Sequence, residues 1–120
     1  MKTGDTYTLR HVVNDSETAL TLGSGGLEVY ATPAMICLME KTAYQAAAEK
    51  GLQTVGTKVD ISHLRACRPG SVIECCAETV EVDGRRIVFA IKASDEKGLI
   101  GEGRHERFCI DPERFMAKLG

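Results

Sequence analysis

A single change of hydrophobic period limits what this chain can fold into. Apolar residues recur at three-and-four spacing from residue 32 to about residue 50, and from there alternate one by one to about residue 110. The first stretch predicts one long helix. Thr32 is placed to cap it, Pro33 suits its first position, and Lys50-Gly51 closes it. Met35, Leu38, Met39, Thr42, Ala43, Ala46 and Ala47 form a broad stripe rich in small residues. The second stretch predicts four strands. Val55, Thr57, Val59, Ile61 and His63 share one face of a long strand that stops at Arg68-Pro69-Gly70. Val72 to Val82 follows, then the hairpin signal Asp83-Gly84, then Ile87, Phe89, Ile91 and Ala93 on one face. Glu96-Lys97-Gly98 turns the chain into Leu99 to Ile110, and Asp111-Pro112 starts a short helix with Phe115, Met116 and Leu119. Ahead of the long helix, Tyr7 to Val13 alternates as a strand. A loose loop is expected through Asn14-Asp15-Ser16 and Gly23-Ser24-Gly25-Gly26.

One small-residue helix followed by a meander long enough to wrap it implies an α+β hotdog fold, a curved antiparallel sheet around a central helix. No repeat, low-complexity tract or proline-rich linker divides the sequence, so residues 1–120 are expected to form one domain. The core has no Trp and only three Tyr and three Phe to draw on, and small aliphatic domains gain stability by associating. The fold also leaves an edge strand open, and pairing two edges across a two-fold axis would bury it. A dimer is the expected assembly.

Charge and composition remove several function classes. A formal charge of −2 and a pI near 5.9 argue against a general nucleic-acid binder, whose affinity rests on clustered Lys and Arg. MKTGDTYTLR contains no apolar signal core, and no uncharged apolar run reaches the ~18 residues a membrane span needs. A cytoplasmic protein without membrane contact is expected. The five cysteines are odd in number and contain no C-x-x-C pair, which reads as reduced thiols packed as small hydrophobes rather than disulfides or a zinc site.

Three polar residues stand where chemistry is possible. Thr32 lies at a helix N-terminus, whose free N–H groups and partial positive charge can stabilise an oxyanion. Glu40 sits at the margin of the apolar stripe with Ile36 and Tyr44 as its i±4 neighbours, so no local cation neutralises it. His63 shares a strand face with aliphatic residues, where an imidazole serves packing or catalysis. Gly56, seven residues earlier, marks a bulge, close packing or room for a ligand near the backbone. His11 reads as packing, and so does Cys37 among Met35, Ile36 and Leu38. The three histidines contain no metal-binding pair, and Gly23, Gly25 and Gly26 do not form a nucleotide loop. Arg65, Arg68, Arg85 and Arg86 could meet phosphates, although arginines at turns are commonly just solvated.

Taken together, Tyr30-Ala-Thr32-Pro-Ala-Met-Ile-Cys-Leu-Met-Glu40, Val55-Gly-Thr57 leading to Ser62-His63, Val82-Asp-Gly-Arg-Arg and Gly101-Glu-Gly-Arg-His-Glu-Arg107-Phe resemble the fluoroacetyl-CoA thioesterase-like family of hotdog proteins. The resemblance implies a homodimer, with a dimer of dimers as the larger assembly it allows. It also implies two active sites at the subunit interface, each hydrolysing an acyl-CoA. Thr32, Glu40 and His63 match the catalytic positions. Glu40 would be general base or nucleophile, Thr32 would position or attack the thioester, and His63 would orient and polarise. Gly56 and Arg107 match further substrate-site positions. No metal or cofactor is implied beyond the CoA of the substrate.

Two departures bear on specificity. The fluoroacetyl-selective member of the family carries an aromatic lid before the catalytic Thr, where Gly23 to Tyr30 offers one aromatic here. Arg104 stands before His105-Glu106-Arg107 where Thr is common. A small or medium acyl group is therefore expected, held by the small residues of the central helix. A module that binds CoA or an acyl ligand without hydrolysis is the alternative. A hydratase is disfavoured because Asp60 precedes His63 by only three positions.

Overall fold

The apolar stripe of the long helix and the apolar face of the strands that follow it are buried against each other in a computed structural model that describes residues 1–120. In chain order the elements are β1 (Thr6–Val12), a single 3-10 turn (Asp15–Glu17), α1 (Ala19–Leu22), α2 (Thr32–Ala48), β2 (Thr54–His63), β3 (Val72–Asp83), β4 (Arg86–Asp95), β5 (Gly98–Cys109) and α3 (Pro112–Ala117). The five strands form one antiparallel sheet in the order β1-β3-β4-β5-β2. Met35 and Met39 of α2 are packed in one cluster with Ile73 and Cys75 of β3 and Ile87, Phe89 and Ile91 of β4. The helix thus lies across the sheet in the expected hotdog arrangement. Its buried residues are Met35, Leu38, Met39, Thr42, Ala43, Ala46 and Ala47, the stripe read from the sequence. Thr42 is accommodated because its hydroxyl donates to the Leu38 carbonyl at 2.7 Å. No helix is long and apolar enough to cross a membrane.

Ala43, Ala46 and Ala47 are buried against the sheet, so the small residues of α2 let helix and sheet approach rather than line an acyl pocket. Ala34, near the helix start, borders one cavity, and Ala46, near its end, borders a smaller one beside β1. The thiols are also less uniform than expected. Cys67 and Cys75 are buried, Cys76 and Cys109 are partly covered, and Cys37 is exposed. Cys37 lies on the face of α2 turned away from the apolar stripe.

The segment between β1 and α2 is built rather than loose. Asn14 and Glu17 form a reciprocal capping box, and Thr18 caps α1. Backbone bonds from Ala19 to Val29 and from Leu20 to Leu27 fold the glycine stretch back on itself, and Tyr30 N–H donates to the Cys67 carbonyl. Tyr30 is 1% exposed and belongs to the core, so it is no lid.

β2 departs from simple alternation. Its register against β5 slips between Gly56 and Lys58, which leaves Thr57 as the extra residue of a bulge. Seven positions separate Gly56 from His63, an odd number that would put them on opposite faces of a regular strand. The bulge brings them to the same face. Gly56 lies opposite Arg107 and Val59 opposite His105, while Val55 and Thr57 are out of phase with Val59, Ile61 and His63. The expectation of one continuous face from Val55 to His63 is therefore corrected by one inserted residue. The β3–β4 hairpin closes on Gly84 and Arg85, with Asp83 and Arg86 paired across it.

Candidate active site

Thr32 does not cap its helix. Ala31 is the N-cap residue and makes no side-chain cap bond, which places Thr32 inside the first turn with Pro33 behind it. The Thr32 hydroxyl instead meets His63 Nδ1 at 2.8 Å, joining the start of α2 to the end of β2. His63 Nε2 is shielded from solvent and has no hydrogen-bond partner, the one buried side-chain polar atom left so. A buried polar atom without a partner costs about 1–3 kcal/mol, so His63 Nε2 is free to meet a group from a ligand, a water or a second chain. Burial pushes the His63 pKa below its ordinary value against a smaller opposing effect of the Arg65 backbone. The ring is therefore neutral at neutral pH. A cavity of about 430 Å³ opens here, lined by Thr32, Pro33, His63, Leu64, Arg65 and Tyr30 among others. The N–H groups of Thr32 and Ala34 make no backbone hydrogen bond and give this end of the helix a partial positive charge.

A second cluster forms at the other end of β2. A Cβ added to Gly56 would lie 3.1 Å from Glu40 Oε2, 3.2 Å from His105 Cε1 and 3.3 Å from Arg107 Nη1. Any larger residue at this position would press on all three side chains, which converge on the space above the glycine. Arg107 is 6% exposed. Its Nε donates to Thr54 Oγ1 at 2.7 Å, Nη2 to the Thr54 carbonyl at 3.1 Å and Nη1 to His105 Nε2 at 3.0 Å. The guanidinium also lies over the Tyr44 ring, 5.6 Å from its centroid. Burial pulls the Arg107 pKa down, and the Glu40 carboxylate and Tyr44 act in the opposite sense. Glu40 is half-buried and makes no direct ion pair with Arg107.

Within one chain, then, Thr32 pairs with His63, and Glu40 groups with Gly56 and Arg107. The pair and the group do not meet. Eight helical residues carry Glu40 about 12 Å along α2 from Thr32, and the strand from Gly56 to His63 spans roughly 20 Å. Thr54, Tyr44 and His105 join the second cluster without having been singled out from the sequence. His105 and Arg107 did leave a signal, because the inward positions of β5 from Gly101 to Arg107 carry no apolar side chain.

Of the arginines weighed as phosphate ligands, Arg65 pairs with Asp95, Arg86 bridges Glu81 and Glu106, and Arg85 lies over Phe108. Arg68 makes no ion pair. His11 pairs with Glu17 at 2.7 Å, beside a second, more apolar cavity of about 410 Å³ lined by Leu22, Pro33, Ala34, Cys37 and Leu38. The two cavities share Pro33.

The fluoroacetyl-CoA-specific thioesterase family, FlK, matches residues 13–113. The chain belongs to that family. The fluoroacetyl-CoA thioesterase of Streptantibioticus cattleyicolor is 39% identical over 95 residues, which cover 77% of this chain and 68% of that protein. Among solved structures, the fluoroacetyl-CoA thioesterase FlK superposes with a TM-score of 0.91 at 34% identity, over 99% of this chain and 95% of that one. A mutant of that enzyme in complex with fluoroacetate and CoA gives 0.90 at 33% identity, over 96% of this chain and 99% of that one. A Thermus thermophilus member of the thioesterase superfamily gives 0.89 at 26% identity, over 98% and 90%. The family match runs from the end of β1 into the start of α3, and the superposition on FlK covers nearly the whole chain.

Proposed function

We propose that this chain is an acyl-CoA thioesterase that hydrolyses a small or medium acyl-CoA to free acid and CoA, working as a homodimer with Thr32, His63 and the partner subunit's Glu40 in each site. The observation that carries the reading is the Thr32 hydroxyl, bonded to a half-buried imidazole instead of to its own helix. A nucleophile within hydrogen-bond reach of a neutral base is the arrangement acyl transfer requires.

β2 is an edge strand whose residues Gly56 to Asp60 are exposed along its length. Two such edges can pair antiparallel about an axis through Asp60. Because the bulge takes up residue 57, that register sets Gly56 opposite the partner subunit's His63. The Glu40 carboxylate beside Gly56 then arrives at the Thr32–His63 pair of the other subunit. Without the bulge the two positions would face opposite sides of the joined sheet.

In this reading Thr32 Oγ1 adds to the thioester carbonyl carbon and its proton passes to His63 Nδ1. The open N–H groups at the start of α2 receive the negative charge that develops on the carbonyl oxygen. The C–S bond breaks and CoA leaves as the thiolate. A thiol of pKa about 8.5 needs little help from a general acid. Water, deprotonated by the partner subunit's Glu40, then attacks the Thr32 ester; the bond from Thr32 Oγ1 to the acyl carbon breaks, Oγ1 takes back the proton held on His63, the free acid leaves, and Glu40 gives its proton to solvent. Arg107, whose Nη1 converges with Glu40 above Gly56, is placed to meet the substrate there. A reducing cytoplasm suits the free thiols, Cys37 among them.

The test is hydrolysis of an acyl-CoA panel from acetyl through medium-chain and aromatic groups, followed by loss of thioester absorbance. Turnover of one acyl class, lost in Glu40→Gln and in His63→Ala with the fold intact, supports the reading. Tight CoA binding without turnover of any member would replace it with a binding module.

A further inference from the structure

His105 and Arg107 are among the least exposed polar residues of the molecule, at 1% and 6%. His105 Nδ1 bonds the Lys58 carbonyl at 2.8 Å, beside the bulge in β2. Its Nε2 bonds Arg107 Nη1 at 3.0 Å. A carbonyl only accepts and a guanidinium only donates, so both bonds exist together only in the neutral ring with its proton on Nδ1. The neighbours thereby fix one tautomer. The remaining bonds of Arg107 both go to Thr54, through Nε and Nη2. His105 alone holds Nη1, the nitrogen that comes within 3.3 Å of the point above Gly56 at which Glu40 also converges.

The groups that face this ring come from four elements. Arg107 and Glu106 flank it on β5, Glu40 approaches from α2, the Lys58 carbonyl from β2, and Phe89 lies opposite it on β4. Burial and the Arg107 charge disfavour the protonated ring, while the Lys58 carbonyl, Glu40 and Glu106 act the other way, and the net effect is a lowered pKa.

We propose that His105 is a positioning residue: in its neutral form it holds Arg107 Nη1 toward Glu40, and its protonation turns Nε2 from acceptor into donor and frees Nη1, leaving the guanidinium tethered through Thr54 alone. The assignment extends the thioesterase reading by giving the second cluster a proton-sensitive latch. It requires no contact between His105 and substrate.

Two replacements separate the latch from simple filling of space. In His105→Gln the side-chain oxygen can accept from Arg107 Nη1 and cannot titrate. In His105→Asn an amide remains near the Lys58 carbonyl but nothing reaches Nη1. His105→Gln is expected to keep kcat/KM within a few-fold, and His105→Asn to lose about 10²-fold through misplacement of Arg107, with both variants folded. On the acid side wild-type kcat/KM should fall with two protonations, those of His63 and His105, and in His105→Gln with one. Nuclear magnetic resonance of the Arg107 Nε–H supplies a readout apart from activity. Its signal should follow the His105 titration in the wild type and be indifferent to pH over that range in His105→Gln. Equal activity of the two variants, or an Arg107 signal that ignores His105, would overturn the proposal. If the wild type hydrolyses no acyl-CoA, the thioesterase reading fails, and the Arg107 signal decides the latch by itself.

Discussion

At the scale of single residues, Thr32 carries the strongest consequence. If its hydroxyl is the nucleophile, Thr32→Ala should lower kcat by about 10³-fold or more, while Thr32→Ser keeps the hydroxyl and most of the rate. Rapid-mixing kinetics should show Glu40→Gln releasing one equivalent of CoA per site and then stalling, because acylation needs Thr32 and His63 while deacylation needs the carboxylate. His63, half-buried, and His105, buried, also tie stability to pH. Their folded pKa values lie below the ordinary 6.5, so below that pH the unfolded chain binds more protons than the folded one. Stability should be level above about pH 6.5 and decline as pH falls below it, which a series of denaturant midpoints would check. Thr32, Glu40, His63, Gly56 and Arg107 were legible as candidates because each breaks the pattern around it or matches a family motif. The partner of Thr32 was not legible, since Thr before Pro at a helix start reads as a cap. Thr54 and Tyr44 each read as ordinary packing, His105 showed only as a polar residue at an inward position of β5, and the fold alone shows that the three surround one guanidinium.

At the scale of elements, β2 decides how the site is divided. The chain's order of strand, long helix and four strands was readable from periodicity alone, and the buried stripe of α2 was readable residue by residue. The bulge was not, because Gly56 announces an irregularity without saying which residue is extra. Two glycines make the element possible. A methyl group on Gly56 would press on the Glu40 carboxylate, so Gly56→Ala is expected to reduce turnover with little loss of stability. A methyl group on Gly103 would lie 2.1 Å from the Asp60 carbonyl oxygen and 2.8 Å from Ile61 Cα. Backbone cannot move aside as a side chain can. Gly103→Ala should therefore cost about 1–3 kcal/mol or more, lower Tm, and loosen β2 from β5. Faster hydrogen exchange confined to β2 would identify that origin.

At the scale of the whole molecule, two half-sites stand at opposite ends of an open edge strand. One holds a paired hydroxyl and imidazole, the other a carboxylate with its arginine. The central claim is that two chains complete each other, and subunit mixing tests it most directly. Glu40→Gln and His63→Ala are each expected to be inactive. When they are unfolded together and refolded, every mixed dimer should contain one site with an intact Thr32 and His63 from one chain and an intact Glu40 from the other. Random pairing predicts recovery of about one quarter of wild-type activity. Recovery near that level would establish a site shared between subunits. No recovery, with mixed dimers demonstrably formed, would place all three residues' action within one chain and contradict the account.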